Sequence, residues 1–371
     1  MVKPKSTKTL YHQKTLIVGI HAPYNKTKHI DTYYEEFINL VRTDQIKYDE
    51  KIFIKLRDID NSYFFTKGKL EEFDAFCKKN EFVDIIISEP LTSQQKRNLE
   101  DYLECNITDR TELILEIFQK AAHSAEGQTQ VRIAILQHKK SRLAGKGVHL
   151  GQQAGGIGVR GGAGETSKEK ETRNIHEYIL KLKAQLVKIQ KSRETQRKRR
   201  LNSKEPFMCL IGYTNSGKST ILNVLAKADV LAEDKLFATL DTTTRQLYIN
   251  KEKVGLISDT VGFIQMLPHS LIDAFKSTLS ELEYADILIH VIDISDPNWD
   301  EHIKIVHEIL EELEIDKNVL YVFNKIDKCE NTADIKKELS KYKPHVITSA
   351  LSKEGLKPLV EYLEKWKKKI T

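Results

Sequence analysis

The segment Gly212-Tyr213-Thr214-Asn215-Ser216-Gly217-Lys218-Ser219 has the spacing GxxxxGKS, and its flanks leave few folds open. An apolar run, Phe207–Ile211, precedes it and reads as a buried strand, while Thr220–Leu225 follows and reads as the opening of a helix. A strand, a glycine-bearing turn and a helix N-terminus make a loop whose backbone N–H groups converge, and the helix dipole adds to their attraction for an anion. In that geometry Lys218 reaches the β and γ phosphates of a nucleotide, and the Ser219 hydroxyl binds magnesium. This part of the chain must therefore be an α/β layer unit.

Two further strand ends choose the base. Asp259-Thr260-Val261-Gly262 follows the apolar run Val254–Ser258, where an aspartate can hold the magnesium shell and a glycine can donate its N–H to a γ-phosphate. Asn324-Lys325-Ile326-Asp327 follows Asn318–Phe323. The Asp327 carboxylate can accept from the two adjacent donors on the Watson–Crick edge of guanine. Adenine has no such pair and would leave the carboxylate desolvated, a discrimination on the order of 10⁴. Ser349-Ala350-Leu351, after Val346–Thr348, resembles the loop that backs the base in GTPases. Three motifs in this order, each on its own strand end, point to a domain that binds GTP and hydrolyses it to GDP.

Two positions remain open on spacing alone. Phe237-Ala238-Thr239-Leu240-Asp241-Thr242-Thr243-Thr244 lies where a switch threonine should meet magnesium, and four threonines are candidates. Phe263 follows Gly262 where Ras-like enzymes carry a water-orienting glutamine. An aromatic ring cannot orient water, so it is either a lid residue packed on the core or a sign that hydrolysis needs outside help. The expected intrinsic turnover is about 10⁻⁴ to 10⁻² s⁻¹, with stimulation by a partner of about 10³–10⁵.

The chain of 371 residues has room for more than this domain. Its first hundred-odd residues alternate strand and helix: strands at Thr15–Ile20, Ile52–Ile54 and Val83–Ile87, helices at Thr32–Val41, Lys69–Lys79 and Ser93–Glu104. That pattern predicts a small α/β domain with a mostly parallel sheet. No catalytic constellation stands out in it, and His12, His21 and His29 read as scattered surface residues. From Asp109 to about Leu143 the apolar spacing is helical. A second long helix begins near Lys168, where Ile175, Ile179, Leu182, Leu186 and Ile189 recur at steps of four and three. Together they predict a long antiparallel helical hairpin. Between Gly145 and Gly164 lie nine glycines, the basic residues Lys146 and Arg160, and no acidic residue, a composition unable to bury a core. A flexible cationic tip on a rigid stalk suits a narrow polyanionic cavity better than a plain linker.

Charge is concentrated beside the nucleotide domain. Residues 181–200 hold nine basic and one acidic side chain, among them Lys188, Lys191, Arg193, Arg197, Lys198, Arg199 and Arg200, while the whole chain carries only +6. Such asymmetry points to nucleic acid bound through phosphates. With no aromatic platform beside it, backbone and shape recognition are favoured. Cys77, Cys105, Cys209 and Cys329 form no CxxC pair and read as thiols of a reducing cytoplasm. No apolar run reaches membrane-spanning length and no secretory signal is visible after Met1–Lys5, so no membrane insertion is expected. Leu356–Ile370 is expected to close the GTPase unit. The chain is expected to be a monomer working in the cytoplasm, at the ribosome or peripheral to a membrane.

Taken together, these residues resemble the HflX family of ribosome-associated GTPases. The likeness rests on Asp109–Phe118, Gly155–Gly161, Gly212–Thr220, Phe237–Arg245, Asp259–Ile264 and Leu267-Pro268-His269. It implies an α/β multidomain chain: an N-terminal domain over 1–108, a helical hairpin with a glycine-rich tip over 109–203, and a Ras-like P-loop GTPase domain over 204–371. It also implies Thr239 as the magnesium threonine, and binding to the large ribosomal subunit and its rRNA with the tip directed at the peptidyl transferase region. Splitting of stalled or stressed ribosomes is the implied activity. The alternatives are a large-subunit assembly factor and a regulatory switch for a protein partner. Thr242, Ser167-Lys168 and Gly162-Ala163 depart from the family, which carries Pro, Gln-Leu and Pro-Gly there.

Overall fold

The computed structural model describes residues 14–144, 167–202, 205–226, 236–237, 243–268, 271–272, 279–329 and 337–370. The glycine-rich tip, residues 238–242 with Thr239, and the side chains of Arg193, Arg197, Lys198, Arg199 and Arg200 lie outside the described residues. Two compact units emerge. One joins 1–26 to 44–113, the other joins 27–43 to 114–371. The division does not follow chain order, because helix α1 (Ile30–Thr43) belongs to the second unit.

The first unit is a four-stranded sheet of β1 (Lys14–His21), β2 (Glu50–Lys55), β3 (Phe82–Ile87) and β4 (Asn106–Thr108), ordered β2-β1-β3-β4 and parallel throughout. Leu16, Ile17, Val18 and Ile20 are buried, as a central strand covered on both faces requires. Helices α2 (Lys67–Asn80) and α3 (Ser93–Leu103) supply Leu70, Phe73, Cys77, Leu99 and Leu103 to its core. A capping box starts α3: Gln95 N donates to the Thr92 hydroxyl and Thr92 N to the Gln95 side chain, so two donors without helical partners are satisfied at once. Strands β1 to β3 and both helices stand where the sequence pattern predicts them, whereas the three residues of β4 are too short for a periodic signal.

The helical run expected from 109 to 143 is two helices, α4 (Arg110–Ala121) and α5 (Ala125–Ala144). Ser124 accounts for the break. Its hydroxyl accepts from Gly127 N at 2.9 Å and caps α5, a local bond that competes with continuing the preceding helix. Helix α6 (Ser167–Asn202) lies along α5, and Ile133 and Leu143 bury against Ile175, Ile179 and Leu182, with Leu136 and Leu186 partly covered. Those five buried side chains each contribute roughly 1.5–3 kcal/mol of transfer free energy. The steps of four and three in α6 thus make the seam expected of them, and Lys181, Lys183, Lys188 and Lys191 stay exposed.

The rest of the second unit surrounds a six-stranded sheet ordered β10-β9-β8-β5-β7-β6. Its strands are β5 (Phe207–Ile211), β6 (Thr243–Ile249), β7 (Glu252–Asp259), β8 (Ile287–Asp293), β9 (Val319–Asn324) and β10 (His345–Ile347). Only β6, at one edge, runs antiparallel, paired with β7. Helices α7 (Lys218–Ala226) and α9 (Lys357–Ile370) cover one face with Ile221, Leu222, Leu359 and Leu363. The alternate residues Ile292 and Phe323 turn to the other face, toward Ile303 of α8 (Trp299–Glu312). Because all these parallel strands point the same way, the ends of β5, β7, β8 and β9 gather their loops at one rim.

Candidate nucleotide site

The phosphate loop leaves β5 at Gly212 and enters α7 at Lys218. Gly217 has φ +100°, and a Cβ there would run into the Asn324 amide. Backbone conformation and space thus both require glycine. Asn215 holds φ +58°, a left-handed conformation that asparagine tolerates better than most residues.

Lys218 is buried, and its Nζ donates to the carbonyls of Gly212 (3.1 Å) and Tyr213 (2.7 Å), so the ammonium sits inside the loop's curve. Burial lowers its pKa to about 8, an effect opposed by the Asp259 carboxylate and assisted by Lys325. The Ser219 hydroxyl donates to Asp259 Oδ2 at 2.6 Å, joining the first turn of α7 to the end of β7. Thr260 Oγ1 donates to the Leu210 carbonyl at 2.6 Å and seats the loop after β7 against β5. Among the described residues, the buried hydroxyls of Thr214 and Ser216 have no protein partner.

The segment beyond Gly262 is laced to the phosphate loop. Phe263 N donates to Gly212 O at 3.1 Å and Thr214 N to Phe263 O at 2.7 Å. Val261 and the Phe263 side chain are buried, so the ring is a lid residue packed into the core. Gly262 passes so close that a Cβ would lie 2.9 Å from Thr214 Cγ2 and 3.1 Å from Lys218 Nζ. No larger residue fits without shifting Thr214 and crowding the lysine.

The loops expected to recognise the base converge on the same rim. Asn324 is buried and braces both sides: its Nδ2 donates to Ser216 O at 2.9 Å, and its Oδ1 accepts from Ala350 N at 3.0 Å. Lys325, at φ +64°, bonds Asn215 O and the Asp293 carboxylate, each at 2.7 Å. After Ile326, Asp327 stands exposed, with Oδ1 accepting from the Ser349 hydroxyl at 2.5 Å, and Leu351 is 81% exposed beside them. A carboxylate held at a solvent-facing rim remains able to accept from a base. Of the expected site residues, the structure brings together Gly212–Ser219, Asp259–Gly262, Asn324–Asp327 and Ser349–Leu351. Phe237 is buried with its ring 4.4 Å from that of Phe118, while Ala238, Thr239, Leu240 and Asp241 lie outside the described residues.

Three residues at the site are absent from the sequence reading. His302 of α8 stacks on the Tyr213 ring, centroids 3.7 Å apart and planes within 7°. Glu36 of α1 accepts from the Tyr213 hydroxyl, and Gln265 N donates to the same oxygen at 2.8 Å. A cavity of about 240 Å³ opens between α1, Tyr213–Ser216 and the start of α8. No motif marks these residues, because their neighbours are remote in sequence.

Comparison with known proteins agrees with this geometry. Residues 31–119 match the family described as GTP-binding GTPase N-terminal, 121–200 the GTP-binding GTPase Middle Region, and 207–325 the 50S ribosome-binding GTPase family. A GTPase HflX of Caldanaerobacter subterraneus subsp. tengcongensis is 44% identical over 317 residues, covering 84% of this chain and 71% of that one. GTPase HflX of Magnetococcus marinus is 41% identical, covering 89% and 77%. That of Escherichia coli K12 is 38% identical, covering 85% and 74%. Among solved structures, SsGBP in complex with GDP aligns over 96% of this chain and 99% of its own, with a TM-score of 0.52 and 25% identity.

Proposed function

The chain belongs to the HflX GTPase family, and from that premise we propose that it binds the large ribosomal subunit in its GTP state and splits stalled or stressed ribosomes. The observation that carries the reading is the joining of a 50S ribosome-binding GTPase domain to a two-helix stalk with exposed lysines. A rigid, cationic stalk recognises folded RNA by its phosphates and shape rather than by base edges.

The nucleotide part of the mechanism follows from the site. Backbone N–H groups of Gly212–Ser219 surround the phosphates, Lys218 supplies a partly desolvated positive charge, and Gly262 N–H meets the γ-phosphate. Asp327 accepts from guanine, while Asn324 and Ser349–Leu351 hold its loop. The hard oxygen donors of Ser219 and Asp259, already within 2.6 Å of one another, fit Mg²⁺. Ser219 and Thr239 would hold that ion, which neutralises charge on the β and γ phosphates when bound. Because Phe263 cannot orient water, the bound ribosome supplies what the site lacks, and hydrolysis ends the association. The work is cytoplasmic, and among the described residues no helix is long and apolar enough to cross a membrane.

Gradient profiles of purified ribosomes, with GTP or a non-hydrolysable analogue and alongside ribosome-stimulated GTP turnover, test the proposal. Stimulation with loss of intact ribosomes is expected. Stimulation without loss would favour the assembly factor, and no stimulation would favour a protein-partner switch. Deleting residues 145–164 should spare nucleotide binding and abolish splitting. Splitting that survives the deletion refutes the tip's role.

A further inference from the structure

We infer that Tyr213 is a positioning residue for GTP hydrolysis and that Glu36, contributed by α1, completes the phosphate loop from far outside the GTPase segment of the sequence. The segment Gly262–Met266 must be held still if Gly262 N–H is to meet the γ-phosphate. Two of its ties to the loop are main-chain bonds, those of Phe263 with Gly212 and Thr214. A side-chain bond adds to them among the described residues, from Gln265 N to the Tyr213 hydroxyl oxygen.

That oxygen is fully committed. It accepts from Gln265 N and donates its proton to the Glu36 carboxylate, and donation to a charged acceptor makes a phenol oxygen a better acceptor in turn. The ring cannot tilt away, because it lies flat on His302. Glu36 is fixed as firmly. One turn earlier on α1, the Thr32 hydroxyl bonds Asn298 Nδ2, which also donates to His29 O at 3.2 Å. Thr27 donates to Glu301 at 2.6 Å, and Lys28 pairs with Asp300 at 3.3 Å. Helix α1 is thereby fastened along the first turn of α8, and its next turn delivers a carboxylate to the phosphate loop. The Tyr33 hydroxyl reaches Met266 Sδ at 3.6 Å, a further contact from α1 to the same segment. Phenylalanine at 213 would serve the stack on His302 equally well. What only tyrosine provides is the link from α1 through the loop to Gln265.

This inference uses only the nucleotide part of the reading above, so its test contains no ribosomes and can succeed where the splitting assay fails. Tyr213→Phe in the full chain keeps the ring and deletes both bonds. Steady-state GTP hydrolysis and fluorescent-GDP binding are measured together. The expected result is a kcat lower by roughly fivefold to tenfold, the effect of losing about one hydrogen bond's worth of positioning, with KM and GDP affinity within about twofold of wild type. Glu36→Ala should slow hydrolysis in the same way, and Glu36→Gln, whose amide oxygen accepts the same proton, should recover most of the rate. Wild-type kcat in Y213F overturns the proposal, as does a fall in GDP affinity that tracks the fall in kcat. If Y213F folds poorly, the Glu36 pair decides: E36Q as slow as E36A refutes the positioning role.

Discussion

Lowering the pH should weaken the GTPase core through one buried imidazole. His290 of β8 is 1% exposed, with the rings of His307 and Tyr321 at 5.9 and 5.8 Å. Burial, reinforced by His307 and Lys218, lowers its pKa from 6.5 to about 3. The unfolded chain therefore binds a proton below about pH 6.5 that the native protein refuses until about pH 3. The stability His290 contributes is complete above pH 6.5 and is lost progressively as the pH falls through that window. For these two values the loss between pH 8 and pH 5 is about 2 kcal/mol. Both tryptophans, Trp299 and Trp366, lie in the GTPase segment, so their fluorescence during urea unfolding reports on this core. At an m-value of roughly 2 kcal/mol per molar, the wild-type midpoint should fall by about 1 M more than that of His290→Leu or His290→Gln over the same pH step. Titrating groups remote from His290 act on wild type and variants alike and cancel in that difference. Parallel pH dependence in all three proteins would refute the reasoning.

Two further outcomes concern the site itself. Nucleotide binding should weaken as the pH rises past about 8, because free Lys218 loses its proton there while phosphates favour the charged form. GDP affinity should fall by roughly tenfold between pH 7 and pH 9, and a flat titration would mean Lys218 is solvated or already paired. Gly262→Ala puts a methyl group 2.9 Å from Thr214 Cγ2 and 3.1 Å from Lys218 Nζ. Overpacking of this kind costs about 1–3 kcal/mol, and GTP turnover should drop at least about tenfold while GDP still binds. Unchanged turnover would show that the segment yields freely.

The nucleotide chemistry was legible in the chain because each of its motifs is contiguous. Gly212–Ser219, Asp259–Gly262 and Asn324–Asp327 sit on strand ends whose apolar runs are plain in the sequence, and the geometry they need is made by a few neighbouring dihedrals. The stripe of α6 was legible for a similar reason, since the steps from Ile175 to Leu186 encode a face wherever the helix lies. The break at Ser124 was not, because a capping hydroxyl competes with an apolar period that runs on through it.

What the sequence alone determined was which local pieces exist and which nucleotide they take. Tertiary structure alone decided what stands behind them. Glu36 meets Tyr213 across 177 positions of chain, and His302 reaches the same ring from a helix bearing no motif. Helix α1, embedded among the N-terminal strands in sequence, packs with the GTPase unit instead. Contacts of that kind depend on the path of the whole backbone, and no local pattern of residues carries information about that path.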